Sequence, residues 1–489
     1  MRKIFFIILI FQISFGLFSQ DKVDFNRYFI NKTMRIDYYH TGDARDEWFT
    51  IDRIYQQGIW AGSTKNLLDT FNNGQYYVKV FDLATNKLIF SKGYNSYFGE
   101  YRTTQDAING IKRTYHETVL IPFPRQKIQF TIEKRDKNNI LHQVFSAVID
   151  PNDVGIKKES PSGDVRVYRF LYNGDPHKKV DLAFVAEGYT EDQEKKFVSD
   201  MQRIIKIFFS QEPYKTYRDR FNIYGLFKPS QESGCDEPTH GVYKNTVVDA
   251  SFNALGSYRY LLTEDNRDLR DIASHVPYDA VVIVVNHSRY GGGGIYNFYC
   301  IFTVDNHWTD YLFLHEFGHS FAGLADEYYS AYVSYSEFYP EGVEPVEPNI
   351  TSNPDPKLIK WKELLSPGIE IPSPWRKAEF DKMEFEYQKI RSKLHSQIAR
   401  LYREKAPREK IEKLEKQLFE LSVKHDKEVG EFMKESKFYG KIGAFEGAGY
   451  VSKGMYRPMV DCIMFSKGKK PYCKVCENAI IRVIKHYTE

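Results

Sequence analysis

Two histidines stand four residues apart in the stretch FLHEFGHSFAGLADEYY, Phe313 to Tyr329, with a glutamate directly after the first. On a helix, positions four apart share a face, so His315 and His319 can aim both imidazoles at one ion. Zinc takes nitrogen, sulfur or carboxylate donors in a tetrahedron, and a catalytic site leaves one corner to water. Glu316 lies roughly 100° round the helix from His315. It can reach that water without joining the metal. Zinc lowers the pKa of such a water to about 7, and Glu316 would take its proton and pass it to a leaving amine. The pattern predicts one catalytic Zn2+ on His315 and His319, with Glu316 as general base and then general acid. Two buried histidines satisfied by backbone carbonyls are the bland alternative. The glutamate between them and the acid beyond Gly323 argue against it.

Gly323 is a natural helix stop. Beyond it the chain can turn back and offer a third donor. Asp326 is the favoured candidate. Glu327, its neighbour, is the competitor, or else orients a histidine from behind.

Tyr311, Leu312, Leu314, Phe317 and Phe321 make this a core helix, and Gly318 is expected to leave room beside the site. From about residue 166 buried strands such as VDLAFVAEGYT and YDAVVIVVNH alternate with helical stretches. One helix carries Phe197, Met201, Ile204 and Ile205 on a single face. This predicts an α/β layer. The run Gly291 to Gly294 lacks the ending of a phosphate loop. It reads as a flexible turn, or as a device letting IYNFYCIFTVDN run along a cleft as an edge strand. Residues 376–438 repeat apolar positions at steps of three and four, from Met383, Tyr387 and Ile390 to Leu401. After Pro407 the repeat resumes from Ile411 to His425 and Val429. This describes a helical hairpin, its charged outer faces read as solvated surface.

Residues 21–150 alternate polar and apolar in short runs with turn signals at LATNK and KRDKNN, which predicts an all-β domain, most simply a sandwich. Residues 151–165 are polar with two prolines and read as a linker. Residues 1–19 carry Arg2 and Lys3, then an apolar run too short to span a membrane, and read as an export signal. The mature chain is expected to be periplasmic, cell-surface or secreted, with no stable membrane insertion. A net charge of +3 over 489 residues, with no basic patch, excludes nucleic acid as a natural partner. Of five cysteines, Cys473 and Cys476 form a CxxC pair. A zinc ribbon needs a second such pair. A local disulfide or plain buried thiols are expected instead.

HEFGHSFAGLADEYY resembles the IgA peptidase family of secreted metallopeptidases. So do EGAGYVSKGMYRP, DCIMF, YCKVCENAI and, near the amino terminus, RIDYYHTGDARDEWFTIDRIY. The resemblance covers nearly the whole mature chain. It implies an α+β multidomain protein: an amino-terminal β-sandwich, then a metzincin-like α/β zinc-peptidase domain over 166–489 with the hairpin as an insertion. In metzincins the glycine-to-acid step matches Gly323 to Asp326, but His319 to Gly323 is one residue longer here. The same likeness makes Met464 the candidate methionine turn beneath the metal. Ser466 stands where some metzincins carry a tyrosine. Tyr456 and Tyr450, in a glycine-rich loop beside Glu446, are candidates to stabilise an oxyanion instead. The expected activity is endopeptidase cleavage of protein or peptide substrates. The rivals are an aminopeptidase-type metallohydrolase using Glu327, and a non-catalytic zinc-containing surface binding protein. Oligomeric state is not legible.

Overall fold

The computed structural model describes residues 22–158, 163–330 and 339–489. The expected export signal, residues 1–19, lies outside them, as do residues 159–162 of the expected linker. Seven strands come first: β1 (Phe29–Gly42), β2 (Glu47–Gln56), β3 (Tyr76–Asp82), β4 (Leu88–Tyr94), β5 (Arg113–Pro124), β6 (Ile128–Arg135) and β7 (Leu141–Ile149). They form two antiparallel sheets, in the orders β2-β1-β5 and β4-β3-β6-β7. Alternate residues such as Met34 and Ile36 of β1, Tyr76, Val78 and Val80 of β3, and Phe130 and Ile132 of β6 enter one shared core. A helical turn, Phe25–Tyr28, precedes β1, and two more, Tyr97–Tyr101 and Gln105–Ile108, interrupt a region expected to be wholly β. Ser96 and Thr104 cap these two by accepting from Gly99 and Ala107 amides. The expected linker is partly anchored, since Lys157 exchanges backbone hydrogen bonds with Ile54 and Gln56 of β2.

The second part is built on a mixed six-stranded sheet. Its strands are β8 (Arg166–Leu171), β9 (Val180–Glu187), β10 (Phe221–Phe227), β11 (Ala280–Val285), β12 (Gly292–Ile295) and β13 (Tyr299–Thr303), in the order β12-β13-β11-β9-β10-β8. The four inner strands run parallel, and β8 and β12 are antiparallel edges. Both faces are covered, which is why the inner strands read as continuous apolar runs. Leu182, Phe184, Val282 and Phe302 meet α1 (Glu194–Phe208) and α3 (Thr309–Ala322) on one side. Ala183, Val185, Ile283 and Ile301 meet Leu269 and Ile272 of α2 (Asn266–Ala273) on the other.

Helices α4 (Lys377–Arg403) and α5 (Arg408–Lys434) form the hairpin. Its seam is more polar than the apolar repeat suggests. Tyr387 stacks on His425 with ring centres 3.7 Å apart, and Glu384 bonds His425 at 2.5 Å. Ile390, expected in the seam, is 47 % exposed. A two-stranded ribbon, β14 (Phe445–Ala448) and β15 (Val451–Arg457), and a final helix α6 (Lys474–Thr488) complete the chain. Among the described residues no helix is long and apolar enough to cross a membrane.

Candidate functional site

Helix α3 is buried on nearly every side because its apolar residues surround the two histidines. It ends where Gly323, at φ 61°, adopts a left-handed cap and its amide returns to the Gly318 and His319 carbonyls. That reversal brings Asp326 back over the helix. Its Oδ1 lies 3.0 Å from His315 Nε2 and 3.2 Å from His319 Nε2, and the two Nε2 atoms are 3.1 Å apart.

The far side of each ring is committed. His315 Nδ1 donates to the Ile463 carbonyl at 3.0 Å, and His319 Nδ1 to the Leu324 carbonyl at 2.6 Å. A carbonyl only accepts, so each ring keeps its proton there and turns an Nε2 lone pair inward. Two lone pairs and a carboxylate oxygen thus converge, an arrangement that demands positive charge between them. A tetrahedral ion with bonds of about 2.0 Å sets its donors roughly 3.3 Å apart, close to the sides of this triangle. The donor set therefore fits a zinc-type ion. The same demand shows in acid–base behaviour. Burial opposes charge at His319, yet Asp326 lifts its pKa to about 9. Burial likewise opposes charge at Asp326, yet the rings hold it well below the carboxylate range.

Asp326 is itself held. The Tyr450 hydroxyl donates to Oδ2, and the Gly449 amide donates to the Asp326 carbonyl at 2.9 Å. Partners behind a carboxylate in this way fix its orientation. Glu316 is half-buried and lines the cleft beside the triangle. Burial raises its pKa, with His315 and His319 opposing, which suits a proton acceptor that must also donate.

The triangle opens into a cleft of about 600 Å³. Its walls correct several expectations. The glycine run is not a flexible turn: Gly292–Ile295 is itself the edge strand, and the following Tyr299–Thr303, expected at the edge, is internal. Glycine is required there, because a methyl at Gly294 would lie 2.2 Å from the Glu316 carbonyl oxygen. Gly318 does not leave open space. A methyl there would meet Met464 Sδ at 3.1 Å, with Leu324 and Tyr472 at 3.3 Å. Met464 thus packs directly beneath the histidine helix. Tyr450 stands at the cleft, but Tyr456 is absent from its lining, being drawn into backbone pairing with Thr351 and Glu446. Glu327 turns away completely. It is fully buried, its amide donates to the Met464 carbonyl at 2.8 Å, and its Oε1 accepts from Asn349 at 3.1 Å.

Other cleft residues carried no signal in the sequence. The hairpin, read as solvated surface, lays Gln388, Arg391, His395 and Arg403 of α4 along one wall. Arg259 donates to the Tyr328 hydroxyl at 3.1 Å, and both line the cleft. Burial and the adjacent Arg391 push His395 down to about 2, so it remains neutral. Gly74, Asn95, Glu100 and Thr104 from the first part complete the rim. Only the tertiary arrangement brings these segments together.

Residues 169–484 match the family model described as IgA Peptidase M64, and residues 24–146 match the model described as Peptidase M64 N-terminus. No curated protein matches the chain.

Proposed function

This chain belongs to the M64 family of IgA peptidases and is a metallopeptidase, a hydrolase of peptide bonds; on that premise we propose an exported zinc endopeptidase with Glu316 as its general base. The observation that carries the reading is the triangle of His315 Nε2, His319 Nε2 and Asp326 Oδ1, with sides of 3.0 to 3.2 Å and both Nδ1 protons committed elsewhere. These three residues would hold the ion. When bound, it supplies Lewis acidity that makes a water acidic near neutral pH.

The protein's own groups do the rest. Glu316 accepts the proton of the attacking water on a carboxylate oxygen and releases it to the departing amine. Tyr450 keeps Asp326 oriented toward the two rings. The edge strand β12, pressed on α3 at Gly292 and Gly294, is placed to hold an extended peptide by strand addition. From Gln388 to Arg403 the hairpin wall runs about 22 Å at 1.5 Å per helical residue. That length accommodates about six extended residues. A cleft of this length favours internal cuts over removal of single terminal residues. The aminopeptidase alternative relied on Glu327 as a ligand, and Glu327 faces away from the cleft.

We read the two amino-terminal sheets as a β-sandwich spanning 21–150, and residues 166–489 as a metzincin-like domain with 376–438 inserted as a second wall of the cleft. The substrate class that fits is an extended segment of protein. Glu316→Gln tests the mechanism. Zinc content should be unchanged while kcat/KM on a quenched peptide library falls by about 10²- to 10⁴-fold. Turnover within a few-fold of the parent would refute the assignment.

A further inference from the structure

The cysteines expected to form a disulfide, or to be inert thiols, are all free and buried among the described residues. Three of them gather with Glu327. The thiols of Cys462, Cys473 and Cys476 and a Glu327 carboxylate oxygen all lie within 4.8 Å of one another, and all four residues are buried. We propose that these four residues form a second metal site, holding a structural zinc-type ion with no corner left for water.

Four observations on different atoms support it. Cys476 Sγ is 3.2 Å from Glu327 Oε1. An ion bound by thiolate and carboxylate would hold such donors roughly 3.6 Å apart, so little movement is needed. Glu327 Oε2 is buried with no hydrogen-bond partner among the described residues, a costly condition that a bound cation relieves. The amide of Cys473 donates to Cys462 Sγ at 3.2 Å and that of Cys476 to Cys473 Sγ at 3.5 Å, the polarity that thiolates require. Arg457, fully buried, acts electrostatically on both Glu327 and Cys462.

The charge account closes. Three thiolates, one carboxylate, a divalent ion and the Arg457 guanidinium sum to a single negative charge at the first turn of α6. The positive end of a helix favours negative charge there. On binding, any protons that the thiols and the Glu327 carboxyl carry leave to solvent.

The site fastens together the segments that shape the cleft. Glu327 follows Asp326 directly. Cys462 precedes Ile463 and Met464, whose carbonyls receive His315 Nδ1 and the Glu327 amide. Tyr472, next to Cys473, donates its hydroxyl to the Leu314 carbonyl of α3. A sequence search for paired CxxC motifs misses the site, because the third thiol and the carboxylate come from elsewhere in the chain.

The test uses the full chain, purified reduced and without chelator. Zinc per chain is measured by mass spectrometry for the parent, for His315→Ala/His319→Ala and for Cys476→Ser. The parent should carry two ions and each variant one. The ion remaining in the histidine variant should show a mainly sulfur shell by X-ray absorption. Its cobalt form should show intense near-ultraviolet thiolate charge transfer. One ion in the parent and none in the histidine variant would overturn the proposal. So would a second ion with only nitrogen and oxygen neighbours, or a disulfide among the three cysteines in reduced protein. Should Cys476→Ser fail to fold, the histidine variant still decides. Failure of the cleft reading alone would leave a single, sulfur-bound ion in the parent.

Discussion

The triangle in the cleft and the thiol cluster behind it are one peptide bond apart, at Asp326 and Glu327, yet they present opposite surroundings. Glu316 and His319 are half-buried and line an open cleft. The thiol cluster is sealed, and all four of its residues are buried. In the first, three donors converge and leave a side toward solvent and substrate. In the second, four donors close round one point. Access, more than donor chemistry, is what would divide the site proposed to turn over from the one proposed only to hold. The chain separates the two by giving adjacent residues partners on opposite sides. Tyr450 and Gly449 draw Asp326 outward, while Asn349 and the Met464 carbonyl draw Glu327 inward.

The largest effects are expected from removing each of the two acids in turn. Asp326→Ala should weaken metal binding at the cleft by well over the 10- to 100-fold typical of losing an outer partner, with loss of peptide turnover. Glu327→Gln should leave the cleft ion in place and lower only the second metal equivalent. Metal titration with a competing chelator separates the two. If Glu327→Gln instead empties the cleft, the division between the sites fails.

A smaller effect is expected from the closed site. Cys476→Ser should cost about 4 kcal/mol of stability, the range seen when a structural metal is lost, measured by denaturant unfolding of reduced protein. Retention of full stability would mean the cluster holds nothing together. Smaller still, Tyr450→Phe should lower metal affinity at the cleft by about 10- to 100-fold, while the thiol-bound ion is unchanged. An equal loss at both sites would show that the variant acts through general unfolding.

The smallest expected effect concerns the wall. Arg391 gives α4 a permanent positive charge facing the cleft, so Arg391→Ala should raise KM several-fold for acidic peptides and leave kcat nearly unchanged. Charge at the wall of an open cleft is partly screened by salt, so the difference should shrink as ionic strength rises. An effect on kcat that ignores salt would assign Arg391 a different role.

The contrast also explains what was legible. The His315–Glu316–His319 spacing is a property of one helix turn, and a helix is a local structure. The same holds for Gly323, whose left-handed cap follows from having no side chain. The hairpin could be placed from its repeat, and Tyr387, Ile411, His425 and Val429 of that repeat are buried, but the repeat misplaced Ile390 and did not show Glu384. The seam is completed by Glu384, Tyr387 and His425, while Ile390 faces outward. Gly294 shows the opposite limit. Its value lies in contact with the Glu316 carbonyl, twenty-two residues further on, and nothing nearby announces it.

By itself, then, the sequence determined the helix that presents two imidazoles and a carboxylate on adjoining faces, because backbone periodicity sets those directions without help from the rest of the chain. It also determined that two chemically similar acids follow the helix stop. Which acid meets the histidines, which joins three distant thiols, and which surface of the hairpin walls the cleft were decided only by the tertiary structure. These outcomes depend on hydrogen bonds and packing between segments separated by tens to hundreds of residues, and no local pattern encodes such distances.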